Sequence, residues 1–435
     1  MSFRSGRLGC LLVAASLAAS PALRAELAPA TGIFNVVDEI ITPPPVDPGP
    51  ASVIVARSQP TAVALGDGFA VAWRDEKVFG PNVADVMMNV IGGQLLDRSG
   101  QRGATFLVDL PGVPGVRRLS CPTLASLGNG RFEVAWAQNR TDGRDVFSQS
   151  FAADGTSEQG GQGRLASDPS ANLYGDLPSL AGSGDGRTAL SWSEVTRDPL
   201  PSQGRTLRYN LLSFDAAGAP TTGVLRLGNS RRSDAQVRPS VVLNAAGIAT
   251  AAWLEPIEGP NPLHLEIFWS QRFAASGAAV TEKVRVANRA ADGAALADAG
   301  NDQTVAIWAR KGQNGALRLN GARLSAAGRV LGKVRDLGPV TSFVQPVLLR
   351  DAGGSFALAW IDGERLKAVH LSADLVRQGS RIDVAPALPE LFYTQGHGFG
   401  AALANGRLLL TWEGAMPQAS WCPGNAIKAQ IFELR

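Results

Sequence analysis

Short runs of alternating bulky and small apolar residues recur along the chain, each ending in tryptophan: FAVAW at Trp73, FEVAW at Trp136, FALAW at Trp360 and LLLTW at Trp412. On an extended backbone successive side chains face opposite ways, so Phe69, Val71 and Trp73 share one face and Ala70 and Ala72 the other. Neither face carries charge, so both are covered. A bulky face laid on a small one lets one sheet pack against the next at native density. Tryptophans at 73, 136, 192, 253, 308, 360 and 412 fall 52 to 63 residues apart. Glycine stands six residues before the tryptophan in five units (Gly130, Gly186, Gly247, Gly354, Gly406), and proline fourteen before it in four (Pro122, Pro178, Pro239, Pro346). A fixed period of this kind outranks any local feature.

Each unit parses into four short strands. Around Trp136 they are PTLASL, FEVAW after the GNG turn, VFSQSF, and GRLAS after ADG. No stretch has a helical period. Four-stranded sheets covered on both faces and repeated in series predict an all-β, seven-bladed propeller of four-stranded antiparallel blades; an open solenoid would need distinct polar caps. The last unit ends at its third strand, AIKAQIFELR435, and VIVAR at 53–57 is a surplus strand before the first. Moving that strand onto the last blade closes the ring and hides an open edge. The expected layout is therefore a propeller over 53–435, closed by an N-terminal strand. A proline-rich linker over 26–52 ends in TPPPVDPGP, and its segment FNVVDEII is a strand or docking segment if it is not part of a tether.

The units resemble the tryptophan-containing, FDADG-turn repeats of secreted bacterial β-propeller proteins. The resemblance covers 53–435 and implies the fold without an activity, because propellers host many functions. The sequence lacks the Gly-His and Trp-Asp pairing of WD repeats, the S-x-D-x-G-x-x-W box of sialidases, and the A-x-W-x-x-x-T-G motif of pyrroloquinoline-quinone dehydrogenases.

The N-terminus changes the compartment and the charge. MSFRSGR is basic, LGCLLVAASLAAS is apolar but too short to span a bilayer, and small residues follow. That is the layout of a secretory signal peptide over 1–25 with cleavage near Ala25, so a secreted or periplasmic location is expected. No later segment approaches the roughly 20 apolar residues of a membrane helix. Removing Arg4, Arg7 and Arg24 turns the formal net charge of +3 into zero, so nucleic acid is not an expected partner. Cys10 leaves with the signal, and Cys121 and Cys422 remain as a candidate disulfide in an oxidising compartment.

Chemical motifs are scarce. His264, His370 and His397 have no second ligand at metal spacing, so no metal and no cofactor are expected. There is no G-x-S-x-G elbow. Two residues after the repeat tryptophan stand Asp75, Glu194, Glu255 and Asp362, which read either as a carboxylate ring over one face or as charged strand ends meeting water. Length is concentrated in the loops between second and third strands and in the blade-joining segments, which share one face of a propeller. Loops varied on a rigid scaffold carry function, so Arg118, Tyr174, Arg232, Tyr393 and Trp421 are the candidate ligand-binding residues. The expected function is a monomeric binding propeller for a surface polymer, glycan or envelope protein. An extracellular carbohydrate hydrolase or lyase is the alternative, and a structural subunit of an envelope complex, held by the proline-rich tether, is the third reading.

Overall fold

A computed structural model describes residues 26–37, 53–78, 87–108, 119–139, 143–159, 163–166, 173–196, 206–230, 238–256, 266–312, 314–341, 346–363, 365–384, 398–414 and 426–434. Every regular element among them is a β-strand, and the fold is an all-β propeller of four-stranded antiparallel blades. Each strand that carries a repeat tryptophan is the second of its unit. It pairs antiparallel with the strand before it and the strand after it, as Arg131–Asn139 does with Leu119–Gly128 and Arg144–Phe151. The turns hold as their residues require. Asp215 Oδ1 accepts the amides of Ala217 and Ala219 at 3.0 and 2.8 Å, and Gly218 takes φ of 81°, a conformation that glycine adopts without strain.

The strands are hydrogen-bonded into five sheets rather than seven separate ones, with five, eight, seven, four and four strands. Two junctions cause the difference. The unit of Trp136 meets that of Trp192 through a single parallel pair, Tyr174 with Arg144. Between the units of Trp253 and Trp308 the chain stays extended. The 17-residue strand Val284–Gly300 pairs with Glu266–Phe273 through its first half and with Gln303–Lys311 through its second.

Packing follows the alternation of side-chain size. Ala70 and Ala72 lie in one buried cluster with Phe132, Val134 and Trp136 of the next unit. Ala135 meets Leu190 and Trp192, Ala189 meets Trp253, and Ala252 meets Trp308. Ile307 meets Trp360, and Ala357 and Ala359 meet Trp412. The series then returns to its start, because Phe69, Val71 and Trp73 pack on Ala402, Leu409, Ile427 and Ile431 of the last unit. The ring is closed. All of these tryptophans are buried, and burying a large apolar side chain contributes about 1.5–3 kcal/mol. On the edges, arginines latch several units to a turn carbonyl of the following one. Arg164 donates to Gly218, Arg187 to Ala246, Arg323 to Ala373, and Arg407 to Arg98 across the closure.

The closure is made by an N-terminal strand, but not by the one expected. Leu27–Pro29 pairs antiparallel with Leu434 to Phe432, and Phe34–Asn35 pairs with Ala429 and Lys428. Val36 donates its amide to Ile427 O at 2.8 Å, and Leu27 and Val36 are buried. Residues 53–57 belong instead to the 13-residue strand Val53–Leu65, which pairs throughout with Gly68–Val78 and opens the unit of Trp73. A bulge between Ser58 and Thr61 lets the strand continue where the sequence suggested a break. Residues 26–37 of the expected linker are thus part of the propeller, while 38–52 and the expected signal segment lie outside the described residues.

Candidate functional site at the mouth of the ring

The first strand of each unit lies innermost, next to the first strands of its neighbours. Its start adjoins the segment that joins it to the preceding unit. In three units that start carries the same irregularity. The residue before proline takes a left-handed backbone, with φ of 57° at Gln59, 59° at Cys121 and 52° at Leu177, and the pairing register slips across it. Proline explains the bulge. Pro60, Pro122 and Pro178 have no N–H to offer the ladder, so the pairing breaks there. The recurring proline was visible in the sequence; its role as a bulge was not.

The bulges turn polar groups across the unit boundaries. Gln59 N donates to Glu413 Oε1 of the last unit at 2.7 Å, and Gln59 Oε1 accepts Cys121 N at 2.8 Å. Cys121 Sγ donates to Asp176 Oδ1 at 3.4 Å, and Arg238 Nε donates to Pro178 O at 2.8 Å. Asp176 also receives Arg144 Nη1 on Oδ2 at 2.5 Å and the amide of Leu177 on Oδ1 at 3.0 Å. Cys121 and Asp176 are buried. Burial draws the Arg238 guanidinium below its ordinary value, against the opposing pull of the Asp176 carboxylate. Four neighbouring inner strands thus carry a continuous belt of buried polar contacts around the axis.

The carboxylates that follow the repeat tryptophans do not form an open ring. Asp75 Oδ1 accepts the Trp73 indole N–H at 2.8 Å and Arg57 Nε at 3.1 Å. Glu255 Oε1 accepts the Trp253 indole N–H at 2.9 Å, and its two oxygens take the Lys283 ammonium at 2.7 and 2.6 Å. Glu194 accepts the Asn210 amide at 3.3 Å. Asp362 accepts the amide and hydroxyl of Thr341 at 2.6 and 2.7 Å and Lys367 at 2.7 Å. Burial works to raise the Asp362 carboxyl, but these partners win and hold it below the usual carboxylate range. The acids satisfy groups inside the blades, which is neither of the two roles expected from sequence.

Arg118, Arg232, Tyr393 and Trp421 lie outside the described residues. Tyr174 is placed by its backbone alone, paired with Val195 and Arg144, two residues before Asp176. The expected Cys121–Cys422 bridge is not found: Cys422 lies outside the described residues, and the Cys121 thiol is turned to Asp176. His370 is buried, with Nε2 2.7 Å from Ser355 Oγ. Among the described residues no three His, Cys, Asp or Glu side chains are grouped to hold a metal ion, and no helix is long and apolar enough to cross a membrane. The site residues that sequence reasoning missed are Gln59, Asp176 and Arg238. The dipeptides Gln-Pro, Leu-Pro and Arg-Pro at the repeat proline were the available signal.

No family model and no curated protein matches the chain. Solved structures do. The polysaccharide lyase Uly1 is 8% identical, with 88% of this chain and 91% of that chain covered and a TM-score of 0.49. The GH93 α-L-arabinofuranosidase of Fusarium graminearum, solved with arabinobiose, is 11% identical, with 88% and 97% covered and a TM-score of 0.46. The α-L-arabinanase of Penicillium chrysogenum is 10% identical, with 73% and 94% covered and a TM-score of 0.43.

Proposed function

We propose that the chain is exported and is a carbohydrate-active propeller, taking an extracellular polysaccharide at the mouth where its inner strands begin. The observation that carries this reading is the belt of polar contacts at that mouth, where buried Asp176 holds Arg144 and the Cys121 thiol next to Arg238, at strand starts that follow the blade-joining segments in sequence. Charged groups held out of water in a concave site are where binding and acid–base work are built. A protein partner calls for an apolar centre. The exposed large apolar residues among those described, such as Leu107, Leu165, Val280 and Val376, instead lie on outer strands and turns. The envelope-subunit reading rested on a free N-terminal tether, and residues 26–37 are spent on closing the ring. We also infer seven packing layers within the five sheets, since the inter-unit clusters recur once per repeat tryptophan.

Recognition without turnover is the second reading. It is favoured by Asp176, whose two oxygens already accept Arg144, Leu177 and Cys121, leaving it poorly placed as a free base. The test is a panel of neutral, uronate-bearing and sulfated polysaccharides. Retention on immobilised polymer reports binding, and new reducing ends or ultraviolet absorbance of an unsaturated product reports cleavage. Retention of none of them, with no cleavage, overturns the proposal.

A further inference from the structure

Arg238 is held by one hydrogen bond and left with another unmade. Its Nε donates to Pro178 O at 2.8 Å, which fixes the guanidinium plane at the start of an inner strand. Its Nη2 is buried and has no hydrogen-bond partner among the described residues. Buried polar atoms are nearly always paired, and leaving one unpaired costs about 1–3 kcal/mol, more when it is charged. Asp176 does not supply the missing acceptor, because Oδ1 takes Leu177 N and the Cys121 thiol and Oδ2 takes Arg144. Among the described residues the charges agree: Arg144 and Arg238 both act on the one Asp176 carboxylate. On the next inner strand Arg289, with the left-handed φ of 58° seen at Gln59 and Cys121, has a buried Nε that also lacks a partner among the described residues. Two neighbouring inner strands therefore present guanidinium N–H donors without acceptors at one mouth.

We propose that Arg238, flanked by Arg144 and Arg289, is an anion subsite that takes a carboxylate or sulfate group of an acidic polysaccharide. The proposal rests on the carbohydrate reading above and narrows it to an acidic polymer. An oxyanion supplies the acceptor that Nη2 lacks and neutralises the surplus positive charge. The planar guanidinium fork suits a two-oxygen acceptor, which an ammonium would not match. Because Nε is already committed to Pro178, the fork is pre-aimed and loses little freedom on binding.

The experiment uses the full mature chain with two small probes, monomeric hexuronate and inorganic sulfate, and with matched neutral, uronate-bearing and sulfated polysaccharides. Calorimetric titration of wild type is compared with Arg238→Met and Arg238→Lys. Loss of a charge-assisted hydrogen bond predicts about tenfold to hundredfold weaker anion binding in Arg238→Met. Arg238→Lys keeps the charge but loses the fork, and should remain folded with an intermediate loss. If Arg238→Met does not fold, Arg238→Lys and Arg289→Met carry the test. The polymer arms tell carboxylate from sulfate. Equal affinity of wild type and variants for both probes overturns the subsite. A neutral polysaccharide bound as tightly as its acidic counterpart, unaffected by the variants, also overturns it while leaving the carbohydrate reading in place. Hexuronate or sulfate held through Arg238, with no polysaccharide bound at all, upholds the subsite and overturns the carbohydrate reading.

Discussion

Asp75 offers a direct measure of what the acids after the repeat tryptophans do. Its Oδ1 takes both the Trp73 indole N–H and Arg57 Nε, and the Arg57 and Asp75 side chains are only 9% and 10% exposed. Asp75→Ala takes from the buried Arg57 guanidinium the carboxylate that accepts its Nε, and breaking a buried ion pair costs about 3–5 kcal/mol. It also strands the indole donor, so the upper part of that range is expected. Arg57→Met is milder, about 2–3 kcal/mol, because the carboxyl keeps the indole and can take up a proton. Arg57→Met with Asp75→Leu removes both charges and leaves the indole unmet, at about 1–3 kcal/mol. The double variant should therefore be more stable than Asp75→Ala alone. Equilibrium unfolding in urea, followed by tryptophan fluorescence and circular dichroism together, measures all of these. Single losses that add to the double within about 0.5 kcal/mol would refute the coupling, and a double variant less stable than either single would refute the argument from buried charge.

Three further outcomes are expected. A mature chain beginning at residue 38 lacks the strands that cover Ala426–Leu434, so it should unfold at lower urea than one beginning at 26; coincident transitions would show that the closing strand contributes nothing. Asp362 has a lowered folded pKa, so its contribution is present above the usual carboxylate value near 4 and fades as pH falls through the lowered one. The stability gap between wild type and Asp362→Asn should accordingly be widest above about pH 4 and narrow below it, and a gap that widens in acid contradicts the assignment. Cys121 is buried as a thiol, so it should resist alkylation in the native protein and label fully in the unfolded, unreduced chain; labelling that needs a reductant would restore the bridge to Cys422.

What could be read from sequence was what repeats locally. The alternation in FAVAW gave the bulky and small faces, and Trp73, Trp136 and their counterparts pack as that pattern requires. What depends on distant partners was hidden. Leu27–Pro29 and Phe34–Asn35 are two- and three-residue strands whose partners lie about 400 positions away, and nothing in so short a run distinguishes a strand from a tether. VIVAR was misplaced because its apolar alternation suits an outer strand as well as an inner one. The proline at the repeat position was seen, but that Gln59 and Cys121 would turn left-handed and bond across unit boundaries needs the neighbouring inner strands in place. Arg238 follows the same logic, since an arginine before proline says nothing about which of its nitrogens finds an acceptor.

The stacking gives every boundary the same polarity: each unit offers its tryptophan backward and the opposite side of the same strand forward, alanines in five units but Ile307 and Leu409 in the other two. No boundary is self-complementary, so every joint is head-to-tail, and joints of that kind end either in a closed ring or in an open helix, depending only on the turn per step. Here the turn per step depends on side-chain volume at the boundary, a tryptophan wedged against the smaller or branched side chains of the neighbouring unit. The ring size is therefore a property of the wedge rather than of any one interface. Enlarging the small face changes the angle at which successive units meet, and a change repeated in every unit would favour a ring of a different order.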